Sequence, residues 1–174
     1  MLEKISNIKY FDIIFKIMED NFISDEYRNY DEQKELLNNP FYKLYMTKEQ
    51  DEITAFVAIW EFDEFIFFEH LAVRKDKQNQ GIGTKILNQL VKETSKNIVL
   101  EVELPKDELK QRRIEFYKRN GFILNKYNYV QPPMSKGKNF VPLLIMSTKK
   151  IENKDEFEII KNILYKNVYK FTNN

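Results

Sequence analysis

The chain has 174 residues, 43% of them hydrophobic and 14% aromatic, which suits one globular unit with a substantial core. Its 28 basic and 27 acidic side chains leave a formal charge of +1, so no global field draws it to nucleic acid or to an anionic membrane surface. Cysteine is absent, which excludes disulfides, zinc–thiolate sites and a cysteine nucleophile.

The opening stretch MLEKISNIKYFDIIFK carries acidic residues and broken apolar runs, unlike a secretion signal. No apolar run approaches the roughly 20 residues that span a bilayer. A cytoplasmic protein is therefore expected, a monomer or a homodimer without a membrane partner. Tyr10, Ile13, Ile14 and Ile17 recur three or four apart and predict a helix over about 9–20, and DEQKELLNN predicts a second that ends before Pro40. Between them FISDEYRNY is a polar and aromatic connection suited to the border of a pocket.

Three segments rich in aromatic and β-branched residues then read as strands, at 41–47, 53–62 and 64–73, the last two joined by a tight hairpin at Asp63-Glu64. The run 65–73 is apolar almost without alternation, as in a central strand covered on both faces. Ile82, Ile86, Leu87, Leu90 and Val91 predict an amphipathic helix over about 82–95, and NIVLEVEL the next strand. Residues 107–120 read as a helix capped by Asp107 and closed by Gly121. FILNKYNYV and FVPLLIMST predict two more strands, joined by the loop QPPMSKGKN, and an amphipathic helical extension is expected at about 153–171. No repeat or low-complexity linker interrupts the chain, so a single α/β domain over 1–174 with a mixed sheet is expected.

The stretch DKQNQGIGTK places Gly81 and Gly83 between the central strand and the helix that follows it. A dinucleotide fingerprint needs a third glycine where Ile86 stands, and a Walker loop needs Gly-Lys-Ser/Thr, whereas Thr84 precedes Lys85. What remains is a glycine backbone at a helix start, whose N–H groups suit an anion such as a pyrophosphate or simply complete a turn.

Gln78-Asn79-Gln80-Gly81-Ile82-Gly83 matches the [RQ]-x-x-G-x-[GA] motif of the GNAT superfamily of acyl-CoA-dependent N-acetyltransferases, and HLAV ahead of it and IEFYKRNGF after it are similar to that family's neighbouring segments. The resemblance implies a mostly antiparallel central sheet flanked by helices and acetyl-CoA as co-substrate, with no metal. It places the cofactor on Gln78, Asn79, Gln80, Gly81, Ile82, Gly83 and Thr84 and on the main chain of Leu71, Ala72 and Val73. It implies Tyr117 as the acid that protonates the leaving thiolate. It also implies a small-molecule or peptide amine as acceptor, whose proton a base must take. Glu69 and Glu101 are the candidate bases, because a carboxylate inside an apolar strand is costly unless paired or used.

Two-residue alternation puts Glu69, Leu71 and Val73 on one face of their strand, with His70 opposite as a hydrogen-bonded core residue, and puts Glu101 and Glu103 together on theirs. The competing role for Glu69 is an ion pair with Arg112 or Arg113, and Glu103 is expected near water. Trp60, Tyr27, Tyr30 and the 131–140 loop surround the expected acceptor entrance, where their rings would suit a cationic amine or simply pack in the core, the reading preferred for Trp60. Lys110 stands where many members of the family carry Asn. A non-catalytic acyl-CoA-binding module is the alternative to an enzyme.

Overall fold

A computed structural model describes residues 2–5 and 8–171. Seven strands form one sheet: β1 (Glu3–Lys4), β2 (Tyr42–Glu49), β3 (Glu52–Glu61), β4 (Phe65–Val73), β5 (Asn97–Glu103), β6 (Ile123–Gln131) and β7 (Val141–Ser147). Their order is β1-β2-β3-β4-β5-β7-β6, antiparallel throughout except for the β4–β5 pair. β4 is the central strand, as its unbroken apolar run implies, and both of its faces are covered.

One face carries α1 (Phe11–Asn21) and α5 (Lys154–Ile163), whose Ile14, Met18, Phe157 and Ile160 share a core with Trp60 and Phe67. On the other, α3 (Ile82–Lys92) and α4 (Glu108–Arg119) bring Ile86, Leu87 and Ile114 against Ile66 and Phe68. A short α2 (Tyr30–Glu35) leads into β2. The capping reading holds for α4: Asp107 Oδ1 accepts from the Lys110 N–H at 2.9 Å, and the helix ends before Gly121. β1 was not legible in the sequence, since its two residues are exposed and show no alternation. The last helix also departs from expectation, because its α-helical part stops at Ile163 and widens into a π-helical turn over Leu164–Val168.

Two irregularities shape the sheet beside the candidate site. Ladder pairing between β4 and β5 covers only Phe65–Phe68 against Asn97–Leu100, so beyond it the two strands splay while each keeps its other neighbour. The register between β3 and β4 also shifts, with Ala58 opposite His70 and Ile59 opposite Phe68, leaving Glu69 as the extra residue of a bulge. This bulge overturns the expected alternation. Leu71 and Val73 pack toward α3 and α4, while Glu69 turns to the α1 side together with His70, and the two side chains approach to 3.5 Å.

Candidate active site

The splay of β4 from β5 opens a cleft of about 440 Å³. Its walls include Leu71, Ala72, Val73, Gln78, Asn79, Gly81, Ile82, Gly83 and Thr84, nine of the residues singled out in the sequence, with Phe116 and Tyr117 across from them. Gln80 is the exception, since it faces a separate hollow with Leu2 and Thr47. Gly81 adopts φ +76° at the start of α3, a left-handed conformation that costs an L side chain about 1–2 kcal/mol. At Gly83 a Cβ would lie 3.4 Å from Phe116, so a larger residue narrows the cleft.

No side chain caps α3, and its first N–H groups lie where the cleft is lined by Ile82, Gly83 and Thr84. Together with the positive end of the helix dipole they suit a phosphate group. The loop is held in place by Gln78, whose amide donates to Asn21 Oδ1 at 3.1 Å and to the Val73 carbonyl at 3.2 Å.

A smaller chamber of about 100 Å³ lies deeper in the splay and shares Asn21, Leu71, Arg113 and Tyr117 with the cleft. Glu26, Glu69, His70, Glu101 and Glu103 all line it. The two candidate bases therefore share one chamber, in opposite environments. Glu69, its side chain 2% exposed, pairs with Arg28 at 2.7 Å, not with Arg112 or Arg113. Burial alone would raise its pKa, but Arg28 and His70 overcome that cost and hold the carboxyl at about 2. Its second oxygen has no hydrogen-bond partner among the described residues, and neither does His70 Nδ1. His70 Nε2 lies 2.7 Å from the Glu26 carbonyl.

Among the described residues no lysine or arginine pairs with Glu101. Burial lifts its pKa to about 7, although hydrogen bonds from Tyr129 and Tyr169 favour the ionised form. Glu103, expected in water, is paired with Arg113. Burial and the nearby Glu103 raise Glu26. Burial also raises Tyr117, against the opposing charge of Arg113, so this phenol keeps its proton. Its hydroxyl makes no hydrogen bond among the described residues and borders both cavities.

Other expected residues stand elsewhere. Trp60 is fully buried, in keeping with its core reading, and lines neither cavity, and the cation over its ring, at 5.7 Å, is the protein's own Arg28. Tyr27 carries Lys138 at 4.7 Å, and Tyr30 bonds Asp12 on the surface. Of the 131–140 loop, Gln131 reaches the chamber. Lys110 is spent on Asp107, at 2.8 Å. Two neighbours of the carboxylates were missed, Tyr129 and Tyr169, and Arg28 was not foreseen as the partner of Glu69. The aromatic spacing of YNYV and NVYKF is their trace in the sequence, and nothing local marks Arg28.

The sequence profile of the acetyltransferase (GNAT) domain matches residues 40–124. A solved structure from Bacteroides thetaiotaomicron, assigned to the GNAT acetyltransferase family, is 30% identical and superposes with a TM-score of 0.90, with 99% of each chain covered. YjbC of Bacillus subtilis (strain 168), assigned as an acetyltransferase, is 46% identical over 65 residues, which are 36% of this chain and 33% of that relative. The chain thus spans about a third of the length of the curated relative it matches. An aminoglycoside 6'-N-acetyltransferase complexed with coenzyme A shares the fold at 18% identity and a TM-score of 0.62, with 88% of this chain and 98% of that one covered.

Proposed function

Because the chain belongs to the GNAT superfamily of acetyltransferases, we propose that it transfers the acetyl group of acetyl-CoA to a primary amine by direct attack in a ternary complex. The observation that carries this reading is the junction of two cavities at Leu71, Arg113 and Tyr117: a long cleft ending on an uncapped helix, and a small chamber holding carboxylates.

In this reading the N–H groups at the start of α3 bind the cofactor pyrophosphate, and Gly81 and Gly83 let the backbone come close. The main chain of Leu71 to Val73, bonded to β3 but not to β5, accepts the pantetheine arm as an added strand. The acceptor amine enters the chamber. At about 100 Å³ it is the smaller of the two cavities, which favours a slender amine tip.

Glu101 is the base, since a carboxyl near neutrality both accepts a proton and exists ionised at working pH. It takes the ammonium proton, the amine nitrogen forms its bond to the acetyl carbon, and the carbon–sulfur bond breaks. Tyr117 gives its proton to the departing thiolate, and the second proton released by the nitrogen as the neutral amide forms restores the phenol. Glu69, ionised beside Arg28, adds a fixed negative charge to the chamber wall that favours the ammonium. Two carboxyls shifted in opposite directions thus take separate tasks.

The test is incubation with acetyl-CoA and pools of amines, polyamines, amino acids and peptides, following free thiol and acetylated mass. Both should appear together. Cofactor binding without product in every pool would leave a non-catalytic binding module in place of an enzyme.

A further inference from the structure

The C-terminal segment lies outside the matched profile, 40–124, yet one of its groups bonds Glu101 of the chamber and another bonds Arg28, the partner of Glu69. The π-helical turn Leu164–Val168 is followed by Tyr169, whose N–H bonds the Leu164 carbonyl at 3.1 Å. Such turns forgo regular helical bonding and concentrate at functional sites. Here the Val168 carbonyl accepts from Arg28 Nη2 at 2.7 Å, and the Tyr169 hydroxyl lies 2.7 Å from both oxygens of Glu101.

We propose that Tyr169 is a positioning residue for acetyl transfer, its buried hydroxyl clamping the Glu101 carboxylate in the β4–β5 splay, so that the C-terminal turn is a working part of the active site. The inference rests on Glu101 as the base. Tyr169 lines neither the cleft nor the chamber, so it acts through Glu101 and not on the reacting atoms. Packing alone would be served by a phenylalanine. The hydroxyl instead spans a carboxylate already bonded by Tyr129, giving two phenol donors to one ionisable group.

The groups facing Glu101 are Tyr129 from β6, Tyr169 after the turn, and Glu69 and His70 from β4, while Tyr165 from the turn feels its charge without bonding it. Glu26 and the Glu103–Arg113 pair line the same chamber. Of the two donors, each stabilises the charged form against burial. Removing one should therefore raise the midpoint of Glu101.

Carboxyl ¹³C NMR of glutamate-labelled protein, with E101Q identifying the Glu101 signal, measures that midpoint without any acceptor. Tyr169→Phe should move it up by about one pH unit, the loss of one hydrogen bond to a charged group. The acid limb of turnover, once an acceptor is in hand, should move the same way. Tyr165→Phe is the control: its hydroxyl bonds the Val130 carbonyl at 2.5 Å, and the midpoint should stay put. Should Tyr169→Phe fail to fold, 3-fluorotyrosine at 169 is a stronger donor of nearly equal volume and should lower the midpoint. A midpoint unmoved by either change, with only thermal stability altered, overturns the proposal. Undiminished turnover in E101Q would instead sink the base assignment, so the two failures are separable.

Discussion

The cleft along the glycine loop and the carboxylate chamber adjoin, yet they are built in different ways. Most of the cleft comes from one continuous stretch, Leu71 to Thr84, where a strand ends, a loop turns and a helix begins uncapped. The chamber gathers Glu26, Glu69, Glu101 and Gln131 from distant parts of the chain, and its carboxylates are governed by Arg28, Tyr129 and Tyr169. Backbone geometry set by local residues is enough to suit an anion. Tuning a base requires side chains that only the tertiary fold brings together.

Within the chamber, Glu69 and Glu101 set the contrast most sharply, and substitutions there should have the largest effects on stability. Glu69→Gln leaves Arg28, 6% exposed, charged and without its carboxylate, which should cost about 3–5 kcal/mol in denaturant unfolding at pH 7. A loss below about 1 kcal/mol would mean that the pair is not the anchor described. Glu101→Gln should do the opposite. A folded pKa of about 7 against an ordinary 4.5 means the native state binds the extra proton, so stability contributed by Glu101 falls as pH rises from about 4.5 to 7. Above pH 7 the full cost is present, and removing the ionisable group should gain about 3 kcal/mol at pH 8 and nothing at pH 4. Glu69, with its pKa lowered to about 2, has the reverse slope: its stabilisation is complete above about 4.5 and is lost as pH falls toward 2.

The cleft should yield the smallest effect. Gly81→Ala forces a methyl group onto φ +76°, a cost of about 1–2 kcal/mol shared between folding and cofactor binding. The KM for acetyl-CoA should rise while kcat at saturating cofactor stays near that of the parent. A fall in kcat with KM unchanged would break the division between the two regions.

The same division explains what the sequence disclosed. The glycine loop, the central strand and the helix ending before Gly121 were legible because each follows from residues within a few positions of one another. Glu69 and Glu101 could be named as carboxylates in apolar strands, but their partners could not. The bulge at Glu69 flips the alternation on which its facing was inferred, bringing His70 to its side and turning both away from Leu71 and Val73. A one-residue register shift of this kind leaves no mark in composition. Arg28 lies 41 positions from Glu69, and Tyr169 lies 68 from Glu101, separations over which periodicity carries no information. Aromatic residues read as a lining for a cationic acceptor proved to carry the protein's own Arg28 and Lys138.

The central claim is that the loop holds the cofactor while Glu101 performs the proton chemistry. The most direct test is calorimetric titration of acetyl-CoA into the parent and E101Q proteins, paired with thiol release on an accepted amine. E101Q should bind acetyl-CoA as the parent does while turnover falls by about 10²–10⁴-fold. Equal turnover in the two proteins would contradict it.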